Sequence, residues 1–117
     1  MALRSLLKKI GTSVEELDRM ELGAFAEGVE GAVALDEIPM RTPVVVAGEV
    51  RSVRVVPRAG APACEVTISD GKGRIVAVFL GRRSIPGLAT GRKIIVQGVA
   101  SQRGREVLML NPIYQFV

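Results

Sequence analysis

The stretch VVVAGEVRSVRVV, residues 44–56, sets the reading of the chain. Seven of its thirteen residues are valine, and branching at Cβ favours the extended backbone of a strand. Thirteen residues is long against the ~5–6 of an ordinary strand. Gly48 sits in the middle, and an interior glycine in a strand marks a bulge or a sharp bend. A long strand that bends centrally is what a short sheet needs to close on itself.

Working outward, PRAGAP (57–62) has loop composition. CEVTISD (64–70) alternates, with Val66 and Ile68 on one side and Glu65, Thr67 and Ser69 on the other. Asp70-Gly71-Lys72-Gly73 is a tight hairpin turn, and RIVAVFLG (74–81) is the next strand. The turn lacks the spacing of a phosphate-binding P-loop and has no following helix. Residues 82–91 form a longer connection with Pro86, Gly87 and Gly91. KIIVQGVAS (93–101) and EVLMLNPIYQF (106–116) are the last two strands, with Arg103-Gly104-Arg105 turning between them.

Upstream, Leu3, Leu6, Leu7 and Ile10 recur with the period of a short helix that Gly11 ends. Ser13 and Glu16 have capping-box spacing, which predicts a second helix with Val14, Leu17, Met20, Ala24 and Phe25 on its apolar face. Gly23, Gly28 and Gly31 weaken the helical pattern. Residues 26–42 read as an irregular arm that ends near Pro39 and Pro43.

The order is thus an acidic helical arm over residues 1–42 and a strand-rich unit over residues 43–117. Five strands with a long gap after the third, in ~75 residues, give an all-β core of OB-fold type. The expected fold is a five-stranded Greek-key barrel with an N-terminal α-helical extension. An SH3-like barrel, which also has five short strands, is the structural alternative.

Composition narrows the function. The 117 residues include one cysteine, Cys64, and no histidine. A zinc site of the usual kind and any imidazole-dependent triad are therefore excluded. The barrel's acids are isolated along the sequence, so no carboxylate pair suits acid–base catalysis. No enzyme, cofactor or metal is expected. No apolar run approaches the ~20 residues of a membrane span. The N-terminal residues do not read as a signal peptide, which makes the cytoplasm the expected compartment.

Charge supplies the positive evidence. Residues 1–40 hold four basic and eight acidic side chains, a net −4. Residues 41–117 hold twelve basic and four acidic, a net +8. A basic module of that kind suits a polyanionic partner.

The barrel segment also resembles a known family. GEVRSV (48–53), VTISDGKGRIVAVFLG (66–81), LATGRKIIVQG (88–98) and MLNPIY (109–114) together resemble the OB-fold wedge domain of RecG-type DNA helicases and the wider anticodon-binding group of OB domains. The resemblance implies a nucleic-acid-binding barrel of the small bacterial sort. The chain has no Walker A segment, so no motor activity is carried over. No junction-contacting residue matches one by one.

OB barrels bind across the middle strands, between the loop joining strands one and two and the loop joining strands four and five. That placement nominates Arg51, Arg54, Arg58, Thr67, Lys72, Arg74, Arg103 and Arg105 as phosphate contacts. The same cations would also serve to keep a valine-rich barrel soluble. Phe79 either stacks on a base or packs in the core. With aromatic residues at 3%, stacking is scarce and binding should be salt-sensitive. Glu65 repels phosphate and is expected to accept from a base amino group or to pair with an arginine. The expected partner is nucleic acid, single-stranded DNA favoured and RNA open. A protein partner docking through the N-terminal arm is the second reading.

Overall fold

The computed structural model describes residues 13–117. The helix expected around Leu3–Ile10 lies outside the described residues. Helix α1 spans Val14–Glu27, followed by a 3-10 turn at Leu35–Glu37. The strands are β1 (Pro43–Arg58), β2 (Ala61–Ser69), β3 (Arg74–Leu80), β4 (Lys93–Arg103), β5 (Glu106–Leu110) and β6 (Ile113–Phe116).

β1 decides the architecture. Its first half, Pro43–Glu49, pairs antiparallel with β4, and its second half, from Glu49 to Arg58, pairs antiparallel with β2. Glu49 faces Lys93 on one side and Ser69 on the other, so the strand turns a corner there. Gly48 makes the corner possible. A Cβ on it would lie 2.6 Å from the Ser69 carbonyl oxygen and 2.8 Å from an Ile68 methyl. The bulge itself falls a little further on, between Val50 and Ser52, with Arg51 as the extra residue.

β2 pairs with β3, β3 runs parallel to β5, and β5 pairs back on β4. The circuit β1-β2-β3-β5-β4-β1 closes a five-stranded OB barrel. Val46, Val50, Val66, Ile68, Ile75, Ala77, Ile94, Val96 and Met109 fill it with little or no exposure. They alternate along their strands, as the two-residue period requires.

Three segments differ from expectation. The loop over 57–62 is a two-residue turn, because Ala59 and Gly60 both take positive φ (50° and 81°) and let Arg58 pair with Ala61. The strand expected over 106–116 breaks at Asn111-Pro112, where Asn111 takes φ 46°. There its amide bonds the Val78 carbonyl, and its side chain accepts from the Leu80 amide, at 2.7 and 2.9 Å. Helix α1 begins as expected, with the Ser13 hydroxyl accepting from the Glu16 amide at 3.0 Å, but runs through Gly23. It buries Leu17 and Leu22, whereas Val14, Met20 and Ala24 are exposed. Leu17 and Leu22 lie about 140° apart around the helix, so no single apolar stripe describes its packing.

The arm after the helix is tied into the barrel. Ala32 bridges Val45, and the Val33 amide donates to the Val45 carbonyl at 2.9 Å. Leu35 enters the barrel core with Val33, Ile38 and Met40 packed against it. Among the described residues, no helix is long and apolar enough to cross a membrane.

Candidate nucleic-acid interface

Alternation places the site. Val66 and Ile68 of β2 and Ile75 and Ala77 of β3 point inward, so Thr67, Ser69 and Arg74 point out. Ser52 lies opposite Thr67, and Ser69 lies opposite Arg74. The three hydroxyls therefore share the outer face of β1, β2 and β3. The bulge re-aims Arg51 to the rim of this face. Lys72 extends from the β2–β3 turn.

These residues line one cleft of about 680 Å³ with Arg51, Ser52, Thr67, Ser69, Lys72 and Arg74 on the barrel side. Its other wall is α1, which contributes Glu15, Asp18 and Arg19. A second recess of about 260 Å³ shares Thr67 and Arg74 and reaches Arg105 at the tip of the β4–β5 turn. Together they form a groove running from α1 across β2 and β3 to Arg105. Its barrel floor offers hydroxyl donors, its barrel edges offer four cations, and Arg19 is a fifth on the α1 wall.

The cations differ in how committed they are. Arg51 lies 3.7 Å from Glu49, and Lys72 lies 3.6 Å from Glu27 of α1; both are about half exposed. Pairs of that kind are weak and exchange readily with a phosphate. Arg74 and Arg105 make no ion pair among the described residues.

The remaining expected contacts do not join this groove. Arg54 and Arg58 both engage Glu65, at 3.1 and 3.7 Å. Glu65 is 5% exposed, so its carboxylate is a buried anion held by two guanidinium groups. It pairs with arginines and is not offered to a base. Nor is Arg58 in a loop, because the β1–β2 connection is only a turn. Arg103 reaches Glu106 across the β4–β5 hairpin at 3.1 Å.

Phe79 packs in the core at 4% exposure, edge-to-face with Tyr114 at 5.4 Å. Tyr114 in turn meets Phe116 at 5.7 Å, and Arg92 lies 4.5 Å over the Phe116 ring. The inward register of β3 takes Phe79 away from the groove, so of its two expected roles it has the core one and does not stack on a base.

Sequence reasoning missed Ser52, which belongs to the hydroxyl row. Its position opposite Thr67 depends on the bulge, which the sequence does not locate. It also missed Asp70, which is 2% exposed. One carboxylate oxygen accepts from the Leu35 amide at 2.8 Å, and the other accepts from the amides of Lys72 and Gly73 at 2.9 and 3.0 Å. Asp70 thus fixes both the turn that carries Lys72 and the arm behind it.

A small closed barrel with a cationic, hydroxyl-floored groove across its middle strands has the form of an oligonucleotide-binding domain. Residues 44–112 match the tRNA anticodon type of OB-fold nucleic acid binding domain, and the chain belongs to that family. Two solved structures are similar in fold. One is an OBody, AM1L10, bound to hen egg-white lysozyme (TM-score 0.56, 19% identity, 76% of this chain and 95% of that one). The other is a replication protein A heterotrimer bound to single-stranded DNA (TM-score 0.51, 14% identity, 84% of this chain and 76% of that one). No curated protein matches the chain.

Proposed function

We propose that this barrel binds single-stranded or junction DNA through phosphate contacts, with little sequence specificity and no catalytic step. The observation that carries the reading is the groove in which Arg51, Ser52, Thr67, Ser69, Lys72 and Arg74 converge on the outer face of β1–β3. Cations neutralise phosphates and release counterions, and the hydroxyls donate to phosphate oxygens. None of the three phenylalanines or the tyrosine lines the groove, so affinity rests on charge. The fold shared with a replication protein A heterotrimer bound to single-stranded DNA supports this choice of ligand. The RecG-like resemblance supports a bacterial, cytoplasmic setting in which single strands and junctions arise.

Anisotropy of a labelled 20-nucleotide oligothymidine, titrated at low and near-physiological salt, tests the reading. The double variant Arg51→Ala/Arg74→Ala is expected to bind more weakly and to lose about 1.4 from the slope of log affinity against log salt, two phosphate contacts' worth. An unchanged slope would remove the groove from consideration.

A second reading, a protein-docking module, draws on a different surface. Leu80, Val99, Leu110 and Ile113 are exposed apolar residues, at 44 to 72%. The OBody bound to lysozyme is a barrel of this fold with a protein ligand. Failure of oligonucleotide binding at low salt would turn attention there.

A further inference from the structure

The groove's α1 wall carries two carboxylates beside one cation, Arg19, and the same chain supplies it. Glu15 and Asp18 of α1 line the cleft opposite Arg51, Thr67 and Arg74. Glu27, at the other end of the helix, holds Lys72 at 3.6 Å. A phosphate strand laid along the groove would meet the carboxylates of Glu15 and Asp18 in the cleft, and would compete with Glu27 for Lys72 at its edge. Like charge across a cleft opposes the ligand, and each cation already partnered has less to offer it.

The attachment of the helix suits a displaceable element. Its two buried residues, Leu17 and Leu22, are not members of the barrel core. Beyond Glu27 the chain passes Gly28 and Gly31, the latter at φ 78°. From Val33 onward it is fixed: by the Val45 carbonyl, by Asp70 and by Leu35 in the core. With the anchor fixed beyond it, the glycine-bearing segment over residues 28–32 is the connection about which α1 would have to turn to leave the groove without unseating the barrel.

We propose that α1 is an internal competitor of the phosphate backbone, an autoinhibitory helix that polyanions displace from the groove. This rests on the nucleic-acid reading of the same groove. In the closed state the carboxylates of Glu15, Asp18 and Glu27 stand in for phosphates. In the open state Lys72 is released and the cleft is cationic on its barrel side alone. Binding therefore selects for ligands with enough charge density to outcompete the helix. Short or weakly charged ligands are excluded.

Three full-length proteins decide the matter: wild type, Glu15→Gln/Asp18→Asn/Glu27→Gln, and the charge-matched control Glu30→Gln/Asp36→Asn/Glu37→Gln. The control residues are exposed and do not line the cleft. Circular dichroism confirms that each is folded. The first triple variant is expected to bind labelled oligothymidine roughly three- to tenfold more tightly than wild type, the scale of a few exposed charge contacts. Its salt dependence should also be steeper. The control should gain distinctly less.

Equal gains in both variants would mean a general effect of net charge and would overturn the proposal. So would unchanged or weaker binding by the first variant. Wild type that binds while the variants behave alike defeats the competitor alone; no binding by any of the three defeats the groove reading as well. Hydrogen exchange gives an independent readout. Saturating oligothymidine should speed exchange of the amides of residues 17–27 in wild type. Slower exchange there would show the helix joining the ligand, and would overturn displacement.

Discussion

Gly48 shows how one missing side chain shapes a barrel. The corner of β1 brings its Cα so close to β2 that a methyl group would penetrate the Ser69 carbonyl. Neither that carbonyl nor the Ile68 methyl can retreat without disturbing the β1–β2 pairing. Gly48→Ala should therefore cost about 1–3 kcal/mol, the usual penalty of overpacking, read from the midpoint of urea unfolding. Cys64 offers a second single-residue test. It is buried in the core, and desolvation pushes its thiol above the ordinary 9.0, with Arg82 opposing only in part. The thiol of the unfolded chain ionises first as pH climbs. The stability linked to Cys64 is thus complete below pH 9 and is lost as pH rises through the higher native value. Urea midpoints measured from pH 8 to 10.5 should fall more steeply for wild type than for Cys64→Ala. The sequence revealed Gly48 as a bend, because that follows from residue type and strand context. It left Phe79 undecided, since Val78 and Leu80 beside it are equally apolar and do not mark the faces.

At the scale of elements, turns decide which cations reach the groove. The β4–β5 turn carries both Arg103 and Arg105, which sequence position alone treats as equals. Register separates them. Arg103 pairs with Glu106 across the hairpin, while Arg105 reaches the recess that holds Thr67 and Arg74. Arg105→Glu should weaken oligothymidine binding severalfold more than Arg103→Glu in the same anisotropy assay. The β2–β3 turn depends on Asp70 in the same way. Its carboxylate accepts three backbone amides in a buried setting, and Asp70→Ala would leave those donors unpaired. The expected loss is on the order of 2–3 kcal/mol, with faster hydrogen exchange at Leu35 and Gly73. Strand order and hairpin positions were readable from alternation and turn residues, which act locally. The partners of Asp70 and Glu65 were not, because each lies across a sheet or a separate segment that only the closed barrel brings near.

At the scale of the whole molecule, charge and packing divide the chain at different places. The change from acidic to basic sequence falls near residue 41, and composition alone puts the end of an arm there. Packing shifts the division to the segment between Glu27 and Val33. Leu35 is 5% exposed inside the barrel core, and Val33, Ile38 and Met40 pack on it. Gly73 passes so close to Leu35 that a Cβ would lie 2.9 Å from the Leu35 carbonyl carbon. Losing one buried leucine costs about 2–5 kcal/mol. Stripping three further apolar contacts and the Asp70–Leu35 hydrogen bond adds to that loss, against a total stability of ~5–15 kcal/mol for a domain. Removing residues 1–40 is therefore expected to leave a barrel that is largely unfolded at 37 °C. Removing residues 1–27 takes away only α1 and what precedes it, and should leave a cooperative thermal transition. Calorimetry of the two truncated chains distinguishes these outcomes. Two similar transitions would mean that Leu35 contributes little and that the arm ends where its charge does. A transition in the shorter deletion alone would make residues 28–42 part of the barrel, leaving α1 as the detachable piece beside the groove.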